Sequence, residues 1–138
     1  MNAVKTEREA SAHTELMRAA LEGNLPALEQ MLNGGDDPNA RDKNGRTALM
    51  FAVINMHSSS TKLLIKHGAD INAVANDGST PIMIAASSGD TESVRELLKW
   101  GASLDAQQYW TGETALTLAD KKGYRDIVDL LTGAEAKK

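Results

Sequence analysis

Four threonines constrain this chain more than anything else in it. Thr14, Thr47, Thr80 and Thr114 stand 33, 33 and 34 residues apart, and each opens a stretch of similar pattern. A fixed period of this length is the signature of a solenoid, built from one supersecondary unit that cannot bury its apolar face alone. The unit is best preserved from Asn76 to Ala106. Asp77-Gly78 is a turn dipeptide, because Gly accepts positive φ without a Cβ clash. Thr80 is placed to cap a helix through its hydroxyl, with Pro81 at the first helical position, where its missing N–H costs nothing. Gly89 can end that helix in the left-handed conformation, Asp90 can cap the next one, and Gly101 can end that in turn. Each repeat is therefore expected to be a turn followed by two short helices.

One column within the period adds a packing constraint. Ala19, Ala52, Ala85 and Ala119 each follow their threonine by five residues. A small residue at this place in every repeat means that neighbouring first helices approach closely, and most of the fold's stability is expected at those stacked faces.

The residues Thr80-Pro81-Ile82, Ala85-Ala86, Gly89, Leu97-Leu98 and Gly101-Ala102 resemble the motif of the ankyrin repeat family, echoed by Gly68-Ala69-Asp70-Ile71-Asn72-Ala73. The resemblance covers about residues 12 to 133. It implies an all-α solenoid of four helix–turn–helix repeats with β-turn tips and a protein-binding surface. The expected layout is a polar extension over 1–11, repeats at about 12–41, 42–74, 75–107 and 108–133, and a polar tail over 134–138.

The repeats differ from one another in ways that matter. The first lacks a turn, with Ala12-His13 where later repeats carry Gly, as suits a terminal unit. Its helices are expected at Thr14 to Glu22 and Leu25 to Asn33. In the second repeat Met56 takes the place held elsewhere by Gly23, Gly89 and Gly123. A non-Gly residue in a left-handed cap costs roughly 1 kcal/mol, and the helix that follows opens on the polar run His57-Ser58-Ser59-Ser60-Thr61. This repeat is expected to be the weakest internal link. The fourth carries one extra residue in its turn, Gln107-Gln108-Tyr109-Trp110-Thr111-Gly112-Glu113. Its helices are expected at Thr114 to Lys122 and Tyr124 to Leu131, with Thr132 facing water and an irregular tail from Gly133.

Little in the sequence points to chemistry. The formal net charge is −4, which argues against a general nucleic-acid binder. No run of 18 apolar residues is present, so no helical span is expected. There are no cysteines, which excludes disulfides and thiolate metal sites. That fits a cytoplasmic protein and also permits a periplasmic or secreted one whose signal peptide has been removed. His13, His57 and His67 fall in three different settings, so no shared metal site is expected. The family motif often has His three residues after the threonine. Met17, Met50, Met83 and Thr117 stand there, and core filling is the expected role of the methionines. Gly34-Gly35 lacks the Gly-Lys-Ser/Thr continuation of a phosphate loop, and no Ser sits in a nucleophile elbow. Asp36-Asp37 reads as a loop. No cofactor and no catalysis are expected.

The ankyrin resemblance implies binding through the turn tips and the exposed groove of the first helices. At the tips this means Lys43, Asn44 and Arg46, then Asn76, Asp77 and Ser79, then Trp110, Thr111 and Glu113. In the groove it means Leu21, Glu22, Ile54, Asn55, Ser87, Ser88, Lys121 and Lys122. Tyr109 and Trp110 stand out, because two of the chain's five aromatic residues are adjacent in its one lengthened turn. Tyr and Trp are enriched in interface hot spots. The competing expectation is that one ring folds back onto the neighbouring repeat. Arg41, Lys43 and Arg46 form a basic tip that can meet an acidic face or remain solvated. Trp100 ends a second helix and is expected to be partly packed. The expected partner is another protein, with an enzyme in view. The expected mode is occlusion by a monomer with no second domain, in the manner of inhibitor or immunity-type ankyrin proteins. The alternative is an adaptor holding two partners by opposite faces.

Overall fold

The computed structural model describes residues 14–137. The expectations for 1–13, including the polar extension and His13, lie outside the described residues. Helix α1 covers 14–22. It is followed by α2 (Leu25–Asn33), α3 (Ala48–Ile54), α4 (Ser58–Lys66), α5 (Pro81–Ser88), α6 (Thr91–Lys99), α7 (Ala115–Lys122) and α8 (Arg125–Ala136). No strand is present among the described residues, so the all-α solenoid is what the chain forms.

Each helix pair is a hairpin, α3 on α4, α5 on α6 and α7 on α8. The first helices stack α3 on α5 on α7, and the second helices stack α2 on α4 on α6 on α8. The alanine column lies in the first layer. Ala19, Ala52, Ala85 and Ala119 are all buried, which lets the helix backbones approach. These alanines have a second role at the helix ends. The carbonyls of Ala19, Ala52, Ala85 and Ala119 accept the N–H of Asn24, His57, Asp90 and Tyr124 at 2.9 to 3.0 Å. That closure requires a left-handed residue just before the donor. Gly23, Gly89 and Gly123 adopt φ of 70°, 78° and 78°, and Met56 is held at φ 60°, the only non-Gly residue with positive φ among those described. The local chemistry of Met56 is thus overridden by the hydrogen-bond pattern shared by all four repeats.

The core runs the length of the stack. Leu16, Leu28, Leu49, Leu64, Ile82, Leu97, Ile127 and Leu131 are almost fully buried. Met17 and Met83 join this core, and Met50 packs in a smaller cluster with Ala73 and Ala75. Filling is therefore their role.

Two local expectations are corrected. Thr80 does not cap α5 through its hydroxyl: it makes no side-chain cap bond, and its buried Oγ1 has no partner. Thr47 does accept from Met50 N–H, and Thr114 accepts from Thr117 N–H. Repeat four goes further, because the Thr117 hydroxyl oxygen accepts the Thr114 N–H in return, completing a reciprocal capping box. A threonine there restores a polar link that methionine in the other repeats cannot make. The second correction concerns the C-terminal end. Helix α8 does not stop at Leu131 but continues through Gly133 to Ala136. Ala and Glu after Gly133 are good helix formers, which offsets the cost of one glycine.

The loops between repeats are pinned by asparagines one period apart. Asn39 accepts the Asp70 N–H and donates to the Gly68 carbonyl. Asn72 accepts the Ser103 N–H and donates to the Gly101 carbonyl. Both bridge to the loop of the next repeat and fix the stacking.

Candidate protein-binding surface

Three turns project in a row. The first closes with Asp42 N–H donating to the Arg46 carbonyl, the second with Ala75 N–H to Ser79 O, and the third with Gln108 N–H to Glu113 O, at 2.9, 2.8 and 2.9 Å. The third encloses one more residue than the others. Within it Gly112 N–H reaches Gln108 O, whereas Gly45 and Gly78 reach back only to Asp42 and Ala75. The extra residue therefore falls between Gln108 and Gly112, where Tyr109, Trp110 and Thr111 lie.

The turns are tied edge to edge. Asn76 N–H donates to Asn44 O at 2.9 Å, and Tyr109 N–H donates to Asp77 O at 3.0 Å. Asn76 and Tyr109 are thus equivalent, and each lays its side chain over the glycine of the preceding turn. A Cβ on Gly45 would come within 2.5 Å of Asn76 Oδ1, and one on Gly78 within 2.9 Å of Tyr109 Cδ1. Tyr109 accordingly folds back onto its neighbour, although its relative exposure is still 64%. Trp110 does not: it is 81% exposed, with its ring edge-on to Tyr109 at 6.1 Å between centroids. A cleft of about 190 Å³ lies between Trp110 and the two preceding turns, lined by Asn44, Arg46, Asn76 and Asp77.

Other residues expected at the surface are committed to the fold. Ser79 is only 7% exposed, and its Oγ accepts from Gln108 Nε2, so it lies beneath the tip rather than on it. Asp77 Oδ1 accepts the Ser79 N–H. Asn55 is exposed, but its side-chain amide donates to the Leu21 carbonyl at 2.9 Å, bridging two first helices. Glu113 is half-buried and pairs with exposed Lys121 at 3.5 Å, so these two form a contact of the last repeat. Ile54 and Ser87 are half-buried in the groove, and Lys43 is exposed at the tip. Arg41 is a clip: Nη1 donates to Val74 O at 2.6 Å and Gly45 O at 3.3 Å. The basic tip is therefore Lys43 and Arg46. The role of Arg41 was not read from the sequence, since nothing local marks it. The asparagine bridges left a readable sign, the recurrence of Asn39 at Asn72.

Trp100 is 55% exposed, its indole N–H donating to Glu96 Oε1, with Lys99 Nζ 5.6 Å from the ring centroid. His57 and His67 sit at opposite ends of α4, and among the described residues no three His, Cys, Asp or Glu side chains are grouped to hold a metal. Also among these residues, no helix is long and apolar enough to cross a membrane.

A comparison with family models matches three copies of the ankyrin repeat over residues 16–108. The chain belongs to the ankyrin repeat family. As an ankyrin repeat protein it is a protein–protein interaction module. The matched copies contain the first two turns and most of the cleft, while the lengthened tip reaches just past their end. Helices α7 and α8 extend the same stacking beyond the matched copies. No curated protein matches the chain in a sequence comparison.

Proposed function

We propose that this ankyrin stack binds a partner protein through its turn tips and adjoining groove, with Trp110 as the anchor, and that binding covers a recess on the partner. The observation that carries this reading is the 81% exposure of Trp110 at the end of the one lengthened turn. A large ring exposed to water is hydrated at a free-energy cost that burial in a partner's recess would relieve, by about 25 cal/mol per Å² buried. Rigid indoles of this kind are frequent interface hot spots. An indole inside a recess shuts out whatever that recess binds, so occlusion follows from insertion. An enzyme is the partner class that such occlusion suits, because its recess is a substrate site. The chain acts here as a monomer, and the groove residues Ile54 and Ser87 add contact area beside the tip.

The test is purification of partners from the source organism with wild-type and Trp110→Ala baits in parallel. A protein retained by the wild type and lost with the variant is the expected result. Its own substrate or ligand is then titrated against the complex. Mutual exclusion supports occlusion. Simultaneous binding of both means that the chain is an adaptor.

A further inference from the structure

We infer that the cleft under Trp110 receives an acidic side chain of the partner, an Asp or Glu, held by Arg46 and Asn44 and covered by the indole. The inference rests on the reading of the tip as the binding surface and names the chemistry that the tip selects. The volume of about 190 Å³ is below the roughly 300–1,000 Å³ usual for small-molecule sites. It suits one side chain.

The free polar groups in the cleft decide which one. Asn76 is partly used: its N–H goes to Asn44 O and its side-chain NH2 donates to Lys43 O, while Oδ1 keeps a free acceptor. Asp77 has one oxygen committed to the Ser79 N–H. Asp42, the nearest acid in sequence to Arg46, has Oδ1 turned onto the backbone, accepting the N–H of both Asn44 and Arg46. Arg46 is thus next to two carboxylates, yet no ion pair or hydrogen bond of its guanidinium is found among the described residues. The Asn44 side chain is free in the same sense. The unspent donors of the cleft are therefore on Arg46 and Asn44, facing the acceptors that Asp77 and Asn76 leave open. A guanidinium presents a planar fork that matches a carboxylate in two parallel bonds. The indole displaces water from one side, and lower local polarity strengthens such a pair. Lys43 on the same turn adds positive potential in a chain whose net charge is −4. The stem of the acidic residue, or an apolar neighbour, would lie against the ring.

The probe is a displayed library of random dodecapeptides, selected on the full chain and then on Trp110→Ala as a counter-target. Binders that need Trp110 should share an Asp or Glu beside an aromatic or large aliphatic residue. For a synthesised binder, Arg46→Ala should lower affinity by at least about tenfold, and so should changing the peptide acid to its amide. The two changes together should cost little more than either alone, as expected of one shared interaction. Arg46→Lys should restore only part of the loss, since the fork is gone. An unfolding curve for each variant confirms that the stack is intact. Binders that need Trp110 but are indifferent to Arg46 would overturn the acidic side chain and leave the tip standing. A library without Trp110-dependent binders would overturn the tip as well.

Discussion

The imidazole of His57 lies so close over Gly23 that a Cβ at residue 23 would come within 2.5 Å of Nδ1. The same arrangement recurs one pair of repeats later, where Tyr124 covers Gly89 and a Cβ would meet Cζ at 2.9 Å. Both rings sit at the N-cap of the following second helix. In between, the column carries Met56, and the next repeat has the smaller Asp90 at that N-cap. Gly23→Ala should therefore lower stability by about 1 kcal/mol or more, through left-handed strain as well as the displaced ring. Denaturant titration reads this directly. An unchanged midpoint would mean that His57 moves aside freely.

Met56 is the residue that this helix end tolerates rather than favours. Met56→Gly should raise stability by about 0.5–1 kcal/mol, even though glycine loosens the unfolded chain. The side chain is 51% exposed, so little core packing is lost with it. Chemical unfolding of the two proteins side by side checks the sign, and a loss of stability would show that the Met56 side chain contributes more than its backbone costs.

The threonines at two first-helix starts should respond differently to the same change. Thr114 belongs to a reciprocal capping box, whereas the Thr80 hydroxyl is buried without a partner. Thr114→Val should cost about 1 kcal/mol, the usual loss of an N-cap. Thr80→Val should be close to neutral, because removing an unpaired buried hydroxyl gives up no hydrogen bond. Equal losses in thermal unfolding would show that Thr80 finds a partner in solution.

Arg41 and Lys43 are two positions apart on one turn and should separate cleanly. Arg41→Ala removes the clip to Val74 O and should cost about 1 kcal/mol of stability. Lys43→Ala should leave stability alone and, together with Arg46→Ala, slow association with the partner and flatten its salt dependence. Stopped-flow binding at several ionic strengths measures the second effect. A salt-independent association rate for the wild type would remove the electrostatic role of the tip.

The contrast between Arg41 and Lys43 also marks where sequence reading reaches its limit. Periodic features were legible: the threonine starts, the alanine column, the glycine turns and the odd position of Met56 all recur at one spacing. Proline at Pro81 and glycine at Gly89 fix local geometry whatever lies next to them. What Arg41, Asn55 and Ser79 do is different, because each finds its partner 29 to 34 residues away, on the neighbouring repeat. Nothing within a few residues of them signals that use. The same holds for Tyr109 and Trp110. Their adjacency in a lengthened turn was visible, but which ring folds back depends on the backbone pairing of Tyr109 with Asp77. The continuation of α8 past Gly133 was missed because a glycine near a helix end reads as a stop, although its interior cost is only about 1 kcal/mol.

Trp110→Ala tests the role of the lengthened turn most directly, through two titrations on the same preparation, one of unfolding by denaturant and one of binding to the partner recovered with the wild-type bait. The side chain lies outside the core, so the unfolding midpoint should hardly move, while affinity should fall by about 2 kcal/mol or more, the size of a hot-spot residue. A marked loss of stability with unchanged affinity would contradict this: the indole would then belong to the stack, and the turn would not be the binding tip.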